Sequence, residues 1–423
     1  MVTVDRDIKQ DEIAKLWLNS DRINSIIVGT GVGKSKIAMT IVSALFNEEV
    51  LSPESKILLL TNSENLRDIN WQDDFNKWGY NWIWDLVTSE CYQTAYKWND
   101  TEWDLIIADE IDFALSPEYS KVFLNNNSRM ILGMTGFVDS SKIELLSKIA
   151  PMIINYSTQD AQNDGILNKT QLVIVEYDLS RNSQDLRVEY KKDKQVKWFT
   201  QSENDAYNYI ENKCNILYGN LQKLESDPEV VFFINDTKIK EYKNIKYQYN
   251  LATAHRKKLL YEGIAAVQKT QYLIEQILQN PNNKILSFSM WTSQADKINP
   301  YTFHEKNKKG NTNISDLNKG IIRSLGVCKA INRGINLEGV NNLIMESYDG
   351  SVTQFAQRHG RGTRLHKNQL MYLYIMIPYY YKKSKDPDNR EQEIWIRKPT
   401  QMAKWADKMM KEFTFKDPIH IRI

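Results

Sequence analysis

Three short stretches of this chain combine residue types that suit phosphate chemistry. In IIVGTGVGKSKIA, an apolar run leads into Gly29, Thr30, Gly31, Val32 and Gly33, followed by Lys34 and Ser35. A glycine-rich turn between a strand and a helix lets successive backbone N–H groups close on an anion at the helix start. Lys34 would then reach the outer phosphates of a nucleotide, and the Ser35 hydroxyl would help to hold Mg2+. The strict phosphate-loop pattern asks for glycine where Val28 stands, and a glycine-rich turn without ligand is the plainer alternative. In LIIADEID, an apolar run ends in Asp109 and Glu110. Adjacent carboxylates at a strand end suit a metal-water shell on Asp109 and activation of an attacking water by Glu110. Alone, such a pair is a solvated loop. In QRHGRGTR, Arg361 and Arg364 lie three apart, a spacing that brings both guanidinium groups to one helix face. They would act as arginine fingers on a terminal phosphate or simply decorate a surface helix. The three signals in this order favour nucleotide hydrolysis over the separate alternatives.

Such groups need a scaffold, and the apolar runs supply one. Ser25–Val28, Lys56–Leu60, Asp104–Ala108 and Arg129–Met134 read as strands alternating with amphipathic stretches, the pattern of a parallel sheet with crossover helices. In such sheets ligands lie beyond the carboxyl ends of the strands, where these motifs fall. A second series begins at Lys284 with KILSFSM and runs through IIRSLGVCKAI and NNLIMESYDG to LMYLYIMIPYY. The fold class expected is therefore α/β: two tandem lobes with parallel sheets and a cleft between them. We expect a first lobe over 1–180, a linker or insertion over 181–255 with a short strand in EVVFFIN, and a second lobe over 256–423. The charged run from Lys382 to Glu393 reads as a solvated loop.

A chain of 423 residues suits two domains, and 42% hydrophobic content with mixed charge marks a globular chain. The net charge of +2 neither supports nor excludes a polyanionic partner, since a local groove suffices. Cys91, Cys214 and Cys328 are odd in number and far apart, which fits no disulfide framework or zinc site and points to a reducing cytoplasm. No apolar run approaches a membrane span, so no membrane partner is expected.

With these motifs in place, the chain resembles superfamily 2 helicases along nearly its whole length, with two RecA-like P-loop lobes. GTGVGKS looks like motif I, DEID motif II, MTG (Met134–Gly136) motif III and QRHGRGTR motif VI. TNSENLRD resembles motif Ia, TSECYQTAY the segment that follows it, ILSFSMWTSQADKI motif IV, YTFHEK the segment after that, and AINRGINLEGV motif V. Gln10 stands in the place of the adenine-reading glutamine. Asn336 departs from the pattern, because many relatives have Asp there. The phrases DEIDFALSPEY and INRGINLEGVNN look most similar to compact phage-type DNA helicases, the branch-migration and fork-remodelling group.

The resemblance implies ATP and Mg2+ as cofactors and nucleic acid as track, with DNA favoured over RNA and with replication or recombination proteins as further partners. If phage-encoded, the chain would act in the host cytoplasm. It implies catalysis by Glu110, Asp109, Arg361, Arg364 and Gln357, and coupling through Asp112, Thr135, Gly334 and Asn336. Thr61, Arg67, Thr88, Trp291, His304 and Asn332 become candidates for strand contact. The cluster WGYNWIWD (Trp78–Asp85) offers rings for base stacking or, more simply, for the lobe core. No wedge hairpin is visible between motifs V and VI, so the insertion is expected to separate or hold the duplex. An RNA helicase and an ATP-regulated clamp are the competing functions.

Overall fold

The computed structural model describes residues 5–62, 64, 67, 71–192, 195–328, 337–347, 370–385, 390–397, 404, 406 and 417–423. The first part of the chain contains strands β1 (Ile23–Val28), β2 (Ile57–Thr61), β3 (Val87–Cys91), β4 (Glu102–Trp103), β5 (Leu105–Asp109), β6 (Asn127–Ser128), β7 (Ile131–Thr135) and β8 (Met152–Tyr156). Six of them form a parallel sheet in the order β3-β2-β5-β7-β1-β8, while β4 and β6 pair beside it. Every residue of β2, β5 and β7 is buried. Their nearly unbroken apolar sequences follow from cover on both faces, which parallel sheets require. The helices Arg6–Leu18 and Lys34–Asn47 close one face through Trp17, Ile37, Ile41 and Leu45, and Tyr92, Ala114 and Leu146 help to close the other. The four strands expected here are all present, each starting or ending within two residues of the sequence-based range.

The second part contains β9 (Thr170–Asp178), β10 (Leu186–Lys192), β11 (Gln195–Gln201), β12 (Ile285–Ser289), β13 (Thr302–Phe303), β14 (Ser324–Cys328), β15 (Asn342–Met345), β16 (Met371–Lys385), β17 (Glu391–Arg397) and β18 (Ile419–Arg422). The larger sheet runs β13-β14-β12-β15-β16-β9-β18, with β17 antiparallel on β16. Both sheets are thus α/β layers of the RecA-like kind, as the alternating pattern implies.

Three expectations change. Thr170–Asp178, placed with the first lobe, is a strand of the second sheet, held between β16 and β18. Its apolar sequence announces a strand but not which sheet receives it. The segment EVVFFIN is no strand: Pro228–Val231 is a short helix capped by Asp227, and Phe232 to Ile234 form an exposed turn. The run from Lys382 is no simple loop either, because β16 continues to Lys385 and pairs with β17 from Glu391. Residues 386–389 lie outside the described set.

The insertion consists of the antiparallel hairpin β10–β11 and two long helices, Glu203–Glu225 and Asp236–Glu262, packed along each other. Ser202 and Asn235 cap their starts. Cys214, Leu217 and Ala252 form the seam, with Ile210, Ile245 and Tyr249 beside them. Among the described residues no helix is long and apolar enough to cross a membrane.

Candidate nucleotide-binding site

The site is built where β1, β5 and β7 end. After β1, the chain turns through Gly29 and enters the helix Lys34–Asn47 at Gly33. Gly31 and Gly33 have φ of 99° and 113°, a region that L side chains rarely adopt. A Cβ at Gly33 would also collide with Gln10 Nε2, and one at Gly29 would lie 2.7 Å from the Thr158 nitrogen. Glycine at 29 and 33 thus admits the close approach of Thr158 and Gln10, and Val32 between them is fully buried. Ser35 is half-buried in the first turn of the helix.

Gln10 approaches from the helix Arg6–Leu18 and donates from Nε2 to the Val32 carbonyl at 2.6 Å. Its Oε1 is buried and has no partner. A buried carbonyl oxygen without a donor costs roughly 1–3 kcal/mol. That orphan acceptor beside the glycine-rich loop fits a base carrying an exocyclic amine, which is the fit expected for adenine.

β5 delivers Asp109 and Glu110. Asp109 is buried, its Oδ2 accepts from Trp71 Nε1 at 3.1 Å, and its main-chain oxygen accepts from the Tyr92 hydroxyl at 3.0 Å. Burial pushes the Asp109 carboxyl up to about 7, and the neighbouring charge of Glu110 adds to this, while Lys34 and the Trp71 N–H act in the opposite direction. A divalent cation would relieve the cost of ionising it, so the donor set of Asp109 and Ser35 fits Mg2+. Glu110 adopts φ 51° and ψ 53°, left-handed for a residue with a side chain. This turn sets its Oε1 3.6 Å from Lys34 Nζ.

β7 completes the cluster. Thr135 Oγ1 lies 2.7 Å from Asp112 Oδ1 and 3.1 Å from Glu110 Oε2. One hydroxyl proton serves one acceptor at a time, and the shorter contact assigns it to Asp112. Lys142 Nζ donates to the Asp112 carbonyl at 2.9 Å. A Cβ at Gly136 would lie 2.7 Å from Thr30 Oγ1, so glycine there lets β7 approach the loop. Gln10, the 29–35 loop, Asp109, Glu110, Asp112 and Thr135 thus converge. Sequence reasoning missed Trp71, Tyr92 and Lys142. Tyr92 stands inside a segment already singled out, but nothing in the spacing links Trp71 to Asp109.

The strand-contact candidates are dispersed. Thr61 is buried at the end of β2, 3.9 Å from the Cys91 sulfur, and Arg67 pairs with Glu90 at 3.0 Å. Thr88 is exposed but is only the second residue of β3, away from the carboxyl edge. Trp291 packs 6.3 Å from Tyr261 in a small core at the root of the helical arm. His304 is buried, 2.8 Å from Asp296 and 3.3 Å from Thr302. In WGYNWIWD, Ile83 and Trp84 join the lobe core while Trp78 and Trp82 remain exposed. Asn332, Gly334 and Asn336 of motif V, and Gln357, Arg361 and Arg364 of motif VI, lie outside the described residues.

Comparison with known proteins agrees with this architecture. Residues 268–366 match the family described as Helicase conserved C-terminal domain. The Hef helicase domain of Pyrococcus furiosus has the same fold, with TM-score 0.51 and 15% identity over 96% of this chain and 99% of that one. A fragment assigned as the HsdR subunit of a type I restriction enzyme from Vibrio vulnificus aligns with TM-score 0.55 and 13% identity, over 99% of this chain and 67% of that one. The ATP-dependent type ISP restriction-modification enzyme LlaBIII, solved bound to DNA, gives TM-score 0.57 and 12% identity over 99% of this chain but 31% of its own. No curated protein matches. The fold is the two-lobe α/β architecture shared with these structures, and residues 268–366, within the second lobe, match a helicase C-terminal family.

Proposed function

We propose that this chain is an ATP-dependent DNA motor that hydrolyses ATP in the first lobe and uses the cycle to move along or remodel DNA. The observation that carries this reading is the Lys34–Glu110–Thr135–Asp112 cluster beside the glycine-rich loop 29–35. Mg2+ held by Ser35 and Asp109 would neutralise charge on the phosphate oxygens. Lys34 leaves Glu110 to engage the terminal phosphate, which frees the Glu110 carboxylate to orient and deprotonate the attacking water. Gln10 reads the base through its orphan oxygen.

Thr135 reports the state of Glu110 to Asp112, the residue that would meet Gln357 of the second lobe. Arg361 and Arg364 stabilise the charge that develops on the transferred phosphoryl group, so turnover waits on lobe closure. Strand contact would fall to motifs Ia, IV and V with Arg67 and Asn332 as first candidates, since Thr61 and His304 are buried, Trp291 packs on Tyr261 and Thr88 lies away from the carboxyl edge. The phrases DEIDFALSPEY and INRGINLEGVNN support a phage-type, fork- or branch-remodelling motor. The test is ATP turnover with Mg2+ on single-stranded DNA, forked DNA and RNA of equal length across a salt range. Stimulation by DNA that fades with salt supports the reading; preference for RNA reassigns the track, and indifference to all three removes the motor.

A further inference from the structure

The insertion displays features that hydrolysis does not use. Its two helices, of 23 and 27 residues, extend about 34 and 40 Å at 1.5 Å per residue. At the far end Val231, Phe232, Phe233 and Ile234 are 50%, 71%, 77% and 71% exposed. This is not a frayed end. Asp227 caps the short helix, Lys238 pairs with Asp227 at 2.8 Å and with Glu229 at 3.1 Å, and Asn235 Nδ2 donates to Glu229 at 2.9 Å. The Ile234 N–H returns to the Glu229 carbonyl at 2.9 Å, and Phe233 is held at φ 56°. Four consecutive apolar side chains are thus presented to water by a polar clasp, which marks a contact surface.

The long return helix has a matching charge pattern. Ile245, Tyr249 and Ala252 face the partner helix. At 100° per residue the opposite side collects Lys240, Lys243, Tyr247, Lys257 and Lys258, all exposed. The lysines span about 27 Å of helix, with Asp236 in the stripe at its tip end and Glu241 turned about 100° from Lys240 toward the seam. A basic face with an aromatic on it, leading to an aromatic tip, complements a polyanion that carries flat bases.

The arm is also fixed to the second lobe. Asn204 and Asn208 bond the Tyr381 backbone, and Glu203 accepts from the Ser180 and Ala265 N–H groups. Its root packs on Trp291, directly after β12.

We propose that this arm is a second nucleic-acid-binding element. Its lysine face lies along the phosphates of duplex DNA, and Phe232 and Phe233 stack on the terminal base pair at a fork. Because the root sits on β12, the tip moves with the second lobe. The inference rests on the DNA-motor reading for its track, but not on ATP chemistry.

The test uses the full chain and two variants: Phe232→Ala/Phe233→Ala, and Lys240→Glu/Lys243→Glu/Lys257→Glu/Lys258→Glu. Binding of labelled single-stranded, blunt duplex and forked DNA is measured without nucleotide over a salt series, beside ATP turnover on single-stranded DNA. We expect the phenylalanine variant to bind forks about tenfold more weakly, with unchanged turnover on single strands. The lysine variant should lose about 3 to 4 from the slope of log affinity against log salt on duplex. Wild-type fork affinity and salt slope in both variants would overturn the proposal. So would unchanged DNA binding with loss of self-association or of a protein complex, which assigns the tip to a protein. Wild-type turnover indifferent to DNA would sink the motor reading alone, because nucleotide-free binding still judges the arm.

Discussion

The carboxyl edge of the first sheet and the tip of the helical arm solve opposite problems. At the sheet edge, Asp109, Asp112 and Thr135 are buried and held by Trp71, Lys142 and one another, so each group's position depends on its neighbours. At the tip, Phe232 and Phe233 touch mainly water and depend on a polar clasp beneath them. Chemistry requires charge held in a dry, preorganised place, whereas capture of a large partner requires surface left uncovered. Substitutions at the first site should therefore damage both rate and stability, and substitutions at the second should spare stability.

The largest effect expected is on rate. Glu110→Gln keeps the shape of the site but removes the base, and should lower ATP turnover by about 10²- to 10⁴-fold with nucleotide binding retained; turnover near wild type would show that the base lies elsewhere. Trp71→Ala removes a buried ring from the core together with the donor to Asp109, and should cost about 3–5 kcal/mol in chemical denaturation.

Asp109→Asn works in the other direction. A carboxyl raised to about 7 is tolerated in its neutral form, so stability falls as pH rises from the unfolded value near 4 through 7. In chelator and without nucleotide, wild type and Asp109→Asn should melt together near pH 4. By pH 8 the variant should be more stable, by at most about 4 kcal/mol. A constant difference across that range would contradict the assigned ionisation. Thr135→Val should cost about 1–3 kcal/mol and weaken the stimulation of turnover by DNA; full stimulation would remove Thr135 from the coupling path. Smallest of all, Phe232→Ser/Phe233→Ser should shift stability by no more than about 0.5 kcal/mol, and a larger loss would show that the tip is a packing element.

The two regions were also unequally legible in the sequence. Gly31, Gly33 and Lys34 follow an apolar run, and Asp109 and Glu110 end another, so local order alone places them at the edge of a parallel sheet. Trp71 escapes because it meets Asp109 across 38 residues through tertiary packing. His304 stands among the candidates for strand contact, yet it folds inward onto Asp296, eight residues earlier. VVFFIN reads as a strand because β-branched and aromatic residues dominate it, and only the flanking Asp227–Pro228 and Asn235 signal helix caps. Thr170–Asp178 was readable as apolar, but its sheet is decided by β16 about 200 residues later, beyond any local pattern.

The measurement that bears most directly on the central claim is ATP turnover by wild-type protein and Glu110→Gln, with and without saturating single-stranded DNA. Turnover that rises with DNA in the wild type and is absent in the variant under both conditions would place a DNA-coupled ATPase at the first sheet's edge. Equal turnover in the two proteins, or a wild-type rate that ignores DNA, would contradict it.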